Sequence, residues 1–159
     1  MRTLTRLHRW LGRRTDRLLR APVPLRNAAG EKWPKDRVGE FGEKVASRWL
    51  WLEGGCEVLY QNFQAREGGE VDIVAREGEI LLFIEVKTRT SITFGRPALA
   101  VDAEKQALII RGARAYMSLL HWPALCFRFD IAEVVLTDQR PPAVTWVRGA
   151  FALPPSLRW

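Results

Sequence analysis

The chain has 159 residues, 47% of them hydrophobic, which is one domain's worth with a real core. No apolar run is long enough to span a bilayer, which argues against a helical membrane protein. The formal net charge is +7, and the two cysteines and two distant histidines (His8, His121) lack metal or triad spacing. That argues against a disulfide scaffold, a zinc knuckle and a Ser-His-Asp enzyme.

The N-terminal arm comes first. Residues 1–26 hold eight arginines (Arg2, Arg6, Arg9, Arg13, Arg14, Arg17, Arg20, Arg26) against Asp16 alone, so the whole net charge sits there and residues 27–159 balance. Leu4, Leu7, Leu11 and Leu18 recur at helical spacing, with Arg14 breaking the stripe. Such an arm suits an amphipathic helix docking on nucleic acid or an anionic membrane surface, or a mobile solvated extension. Its composition is also that of an arginine-rich transit peptide. Pro22 and Pro24 break it, and residues 21–35 read as linker. The boundaries expected are therefore arm and linker at 1–35, a domain at 36–148 and a tail at 149–159. Deleting residues 1–26 is expected to leave the fold intact.

Asp36 to Leu52 reads as a helix with Phe41, Val45, Trp49 and Leu52 as its apolar stripe, stopped by Gly54-Gly55. Cys56 to Ala65 reads as a strand, and two runs of β-formers at 70–76 and 79–88 as a hairpin. Residues 89–97 form a loop. Val101 to Leu120 reads as a second helix with Leu108, Ala115 and Leu119 on one side and Lys105, Arg111 and Arg114 elsewhere. Leu125 to Leu136 is a strand and Ala143 to Val147 another. Cys56 and Cys126 fall in strands and read as core packing in a reducing compartment, so the cytoplasm is the expected location. Trp33, Trp49, Trp51, Trp122 and Trp146 read as packing residues.

The hairpin carries the chemistry. With Glu77-Gly78 as a two-residue turn, Arg76 faces Glu79, Asp72 faces Phe83 and Glu70 faces Glu85. Residues two apart on a strand share a face, as do opposed residues. Glu70, Asp72, Glu85 and Lys87 then project from one side, over a back of Val71, Ile73, Ala75, Ile80, Leu82, Ile84 and Val86. Like charges on one face repel unless something compensates them. A bound Mg²⁺ or Mn²⁺ would do so, since hard carboxylate oxygens are what such ions prefer. A solvated ion cluster neutralised by Lys87 is the alternative. The third strand, ILLFIEV, is apolar on both faces until Glu85 and should be central in its sheet.

The order α-β-β-β-α-β, with an acid on the second strand and E-x-K on the third, resembles the restriction-endonuclease-like PD-(D/E)xK superfamily. The match is closer to its YraN-like family. The residues carrying it are Gly42-Glu43, Asn62-Phe63-Gln64, Gly69-Glu70-Val71-Asp72, Ile84-Glu85-Val86-Lys87-Thr88-Arg89, Phe94-Gly95, Lys105 and Arg128-Phe129-Asp130, spread over roughly residues 36–136. Gln64 departs from a usually basic position, which weakens a phosphate contact. The resemblance implies an α/β fold with a central mixed sheet flanked by helices. It also implies Mg²⁺-dependent phosphodiester cleavage, a nucleic-acid partner (DNA in the first instance) and, as in many superfamily members, a homodimer. Under it Glu43 reaches the site; helix-dipole stabilisation is the alternative for that residue.

The chemistry follows from the residue types. A metal held by Asp72 and Glu85, with the Val86 carbonyl as a further ligand, stabilises charge on phosphate and lowers the pKa of a bound water. Lys87 would orient that water and contact phosphate. Glu70 reads rather as a support residue or ion partner of Arg89. Arg89, Arg96 and Lys105 flank the metal site in sequence and are candidates for phosphate contacts, with surface ion pairing as the alternative. Phe94 is a candidate for base stacking. Three functions stay open: a metal-dependent nuclease acting on branched or processed DNA, a non-catalytic nucleic-acid-binding module of the same fold, and an interaction or membrane-peripheral role of the arm. The neutral core counts against strong autonomous nucleic-acid binding.

Overall fold

A computed structural model of the chain describes residues 16–90 and 101–155. The elements are α1 (Arg17–Arg20), α2 (Lys35–Leu52), β1 (Glu57–Ala65), β2 (Gly69–Glu77), β3 (Ile80–Arg89), α3 (Ala103–Leu119), β4 (Cys126–Val135) and β5 (Ala143–Phe151). The strands form one mixed sheet in the order β1-β2-β3-β4-β5. β3 is its middle strand, and Leu81, Leu82, Phe83 and Ile84 are all buried, as a strand apolar on both faces requires.

β2 and β3 pair antiparallel with Ile73 opposite Ile84, Arg76 opposite Leu81 and Glu77 opposite Ile80. The turn is thus Gly78-Glu79, not Glu77-Gly78, and the pairing is displaced by two residues from the expected one. Of the two turn residues only Gly78 has positive φ, 60°. A two-residue turn of the II′ kind wants glycine at its first central position, which explains the choice. Because side chains alternate with period two, a displacement of two residues leaves every side chain on its expected face.

The described chain divides into two compact units. The first comprises residues 16–57, 86–90 and 132–145. There Asp16 caps α1, accepting from the Leu19 N–H at 3.3 Å, and pairs with Arg48 of α2 at 2.5 Å. Leu19, Val23 and Leu25 are buried. Residues 21–35, expected as linker, are therefore tied down. The Val23 N–H donates to the Arg140 carbonyl and its own carbonyl accepts from the Gln139 N–H, both at 3.0 Å, and the Leu25 N–H donates to Asp138 Oδ1 at 2.9 Å. Pro22 and Pro24 are tolerated because alternate N–H groups of an extended segment point away from its partner. At the far end of β3, α2 packs through Gly42, where a Cβ would overlap the Thr88 side chain.

The second unit comprises residues 58–85, 101–131 and 146–155. Its core gathers Phe63, Val74, Phe83, Ile109, Met117 and Phe129. α3 lies on β2 through two glycines. A Cβ at Gly112 would stand 2.9 Å from the Glu70 backbone, and one at Gly69 would overlap the Gly112 nitrogen. This close approach decides which stripe of α3 faces inward. Ile109, Ile110, Gly112, Ala113 and Met117 are buried, whereas Leu119, expected on the apolar side, is 67% exposed. β4 and β5 are joined by the fully buried Asp130, which accepts from Arg128 Nε at 2.7 Å, Trp146 Nε1 at 3.0 Å and the Gly149 N–H at 2.8 Å. β5 runs to Phe151, four residues beyond expectation, and Phe151 stacks on Phe129 with centroids 4.7 Å apart.

Two packing expectations are corrected. Cys56 is buried, but Cys126, the first residue of β4, is exposed. Trp122 is 43% exposed, in the left-handed turn after α3 (φ 54°) rather than in the core. Among the described residues no helix is long and apolar enough to cross a membrane.

Candidate active site

Asp72 and Glu85 are the next residues along the two strands after the Ile73–Ile84 pair. They stand side by side on the face opposite those isoleucines, the face that also carries Val74 and Phe83. This is closer than the expected register, which set Asp72 against Phe83. Glu85 is only 3% exposed, while Asp72 and Glu70 are half-buried. A buried carboxylate needs a compensating charge or hydrogen bonds.

Part of that compensation comes from α3. Lys105 Nζ forms a very short ion pair with Glu70 Oε1 and lies 3.3 Å from Glu85 Oε2. Lys105 stands four residues before Ile109 and seven before Gly112, so it belongs to the helix face turned toward the sheet. From the sequence alone it is expected elsewhere than the helix's apolar side, as a phosphate contact. Burial pulls its amine down, but the hydrogen bond to Glu70 and the charges of Glu85, Asp72 and Glu70 outweigh it and hold the amine above the ordinary lysine value. Glu70 is thus the ion partner of Lys105; Arg89 instead pairs with Glu133 at 3.2 Å. Gln64 Nε2 adds a long hydrogen bond to Glu70 Oε2, 3.5 Å.

Val86 and Lys87 follow Glu85 along β3 and are half-buried. Glu43 is half-buried on α2, directly after the Gly42–Thr88 contact. It lies more than two turns into the helix, so N-terminal dipole stabilisation does not explain it. Arg96 and Phe94 lie outside the described residues. Arg128-Phe129-Asp130 proves to be an architectural motif. Besides Asp130, Arg128 holds Glu77 at 3.1 Å, and the Asp130 and Glu77 bonds keep its guanidinium above the ordinary arginine range despite burial.

Among the described residues no three His, Cys, Asp or Glu side chains stand close enough together to hold a metal ion. A metal on Asp72 and Glu85 would therefore have a two-carboxylate site, completed by carbonyl, water and phosphate oxygens. That is a donor set Mg²⁺ accepts, since it keeps several waters and binds through one or two carboxylates plus substrate phosphate.

The αβββαβ order, the central strand and the acid pair on β2 and β3 define a restriction-endonuclease-like α/β protein. The sequence comparisons agree with the motif resemblance. The model of the "Uncharacterised protein family UPF0102" matches residues 42–134. The UPF0102 protein of Solibacter usitatus is 42% identical over 137 residues, covering 84% of this chain and 97% of that protein. That of Trichlorobacter lovleyi is 41% identical over 117 residues, covering 73% and 91%, and that of Frankia alni 43% identical over 117 residues, covering 74% and 96%. The chain belongs to the UPF0102 family, the YraN-like proteins.

Proposed function

We propose that this chain is a metal-dependent nuclease that hydrolyses phosphodiester bonds in DNA, with branched or processed intermediates as its substrate class. The observation that carries the reading is the adjacency of Asp72 and the buried Glu85 on paired strands, in a core whose central strand bears E-x-K. Mg²⁺ or Mn²⁺, held by the two carboxylates and the Val86 carbonyl, would supply charge neutralisation at phosphate and a water of lowered pKa. Lys87, two residues beyond Glu85 and so on the same face by strand alternation, orients the attacking water and contacts a phosphate oxygen. Glu43 is a further acid for the water, on the strength of the family resemblance. Arg89 and Arg96 are candidates for holding flanking phosphates, Arg89 at the expense of its pair with Glu133.

A second reading is favoured by Lys105, whose ammonium already offsets part of the acid charge. On that reading the chain keeps the fold and binds nucleic acid without cutting it. Titrating Mg²⁺ and Mn²⁺ against branched, single-stranded and duplex DNA and RNA separates the two. The nuclease reading expects metal-dependent cleavage abolished by Asp72→Asn and by Glu85→Gln. Binding without cleavage of any substrate in either metal would establish the second reading.

A further inference from the structure

We infer that Lys105 is a built-in counter-cation of the carboxylate group, a positioning residue that holds Glu85 in the metal-free protein and that a divalent ion must displace. The inference rests on the proposed metal site and adds a competitor to it. Glu70, Asp72 and Glu85 together bring three negative charges, and the Glu85 side chain is too buried to be stabilised by water. Lys105 reaches both Glu70 and Glu85, and the charge of Asp72 acts on it as well.

The anchoring of Lys105 is rigid at one end and loose at the other. Its backbone N–H donates to Asp102 Oδ1, the cap of α3, at 2.8 Å. α3 in turn is seated on β2 by the Gly112–Glu70 approach. The side chain beyond is an unbranched four-carbon stem, 22% exposed, with a route to solvent. Two cations cannot share the Glu85 carboxylate without repulsion that low local dielectric strengthens. A divalent ion on Asp72 and Glu85 and the Lys105 ammonium at 3.3 Å from Glu85 therefore exclude each other. The ammonium keeps the acids in place while the site waits, and its departure accompanies metal binding.

The test is binding of Mn²⁺ alone to the full chain, followed by calorimetry and by thermal melts, for wild type, Lys105→Gln, Lys105→Arg and Asp72→Asn. Lys105→Gln should bind Mn²⁺ about tenfold tighter or more, the change expected when a directly competing charge is removed. It should also melt lower than wild type without metal. Lys105→Arg should stay near wild type, and Asp72→Asn should lose binding. A second measurement uses wild type only. Acetylation of the Lys105 amine, read by mass spectrometry, should accelerate at saturating Mn²⁺. Binding to Lys105→Gln that is no tighter, or acetylation indifferent to Mn²⁺, overturns the inference and leaves the metal site standing. Absence of Mn²⁺ binding in both wild type and Lys105→Gln overturns the metal site and the inference with it.

Discussion

Glu85 sets the terms for its surroundings, because a carboxylate 3% exposed on the central strand is costly to bury without a compensating cation. Lys105 supplies that cation, and its amine is held above the ordinary lysine value. A lysine with a raised folded-state pKa contributes stability that is complete below its unfolded value of 10.5 and is lost as pH rises through the folded value. Lys105→Gln should therefore lower stability by about 1–3 kcal/mol at neutral pH, where it leaves Glu85 without its ammonium. The difference in urea-unfolding free energy from wild type should hold steady until near pH 10.5 and close above it. A difference that vanished below pH 9 would disprove the pairing. The acids themselves were legible in the sequence, because strand alternation assigns faces even when the turn is misplaced by one residue and the pairing by two. Lys105 was not, because its place depends on which stripe of α3 turns inward. Leu108, Ala115 and Leu119 form a plausible stripe on hydrophobicity alone; two glycines made a different one.

Those glycines act at the level of elements. Neither Gly69 nor Gly112 has a positive φ, so each is required by closeness of backbones and not by backbone conformation. Gly112→Ala would push a methyl to 2.9 Å from the Glu70 main chain and lift α3 off β2. It should cost about 1–3 kcal/mol in urea unfolding, the usual range for overpacking against a surface that cannot yield. It should also loosen Lys105 from Glu70, so that the Gly112→Ala and Lys105→Gln effects are less than additive in a double-mutant cycle. Strict additivity would uncouple the helix seat from the ion pair. The β4–β5 junction depends on one side chain in the same way. Asp130→Asn keeps the shape but removes the charge that Arg128, Trp146 and the Gly149 N–H all donate to. A loss of about 3–5 kcal/mol is expected, as for other buried pairs broken from one side. A loss below about 1 kcal/mol would mean that the pair is no more than a surface ion pair in effect. The existence and order of α2 through β5 could be read from periodicity and breakers, whereas α1 could not. The extension of β5 to Phe151 could not, since it rests on the Phe129 stack and on Asp130, both remote in sequence.

At the scale of the whole chain, residues 1–15 of the N-terminal arm are distinguished by their charge and residues 16–26 by their burial. Residues 1–15 contain five arginines and no acid, so removing them takes the formal charge from +7 to +2. Residues 16–26 contain Leu19, Val23 and Leu25, all buried, and the Asp16–Arg48 pair. The prolines that suggested a linker flank Val23 in its bridges to Asp138 and Arg140; long-range pairing of this kind leaves no local signal. A chain lacking residues 1–15 should melt like the full chain. Its binding to DNA or to anionic vesicles should weaken, with a shallower dependence on salt, because each duplex phosphate left without its arginine lowers the logarithmic slope by about 0.9. A chain lacking residues 1–26 loses three buried aliphatic side chains, each contributing about 1.5–3 kcal/mol. That sum is comparable with the whole stability of a typical domain, about 5–15 kcal/mol. The longer truncation should therefore be strongly destabilised or fail to fold, contrary to the expectation from sequence that the whole arm is dispensable. Melting curves for the two truncations, with a salt series on duplex DNA and on anionic vesicles, provide the check. Equal stability of both would mean that residues 16–26 contribute nothing to the first unit. An unchanged salt slope for the shorter truncation, on both ligands, would mean that the five arginines do not meet an anionic partner.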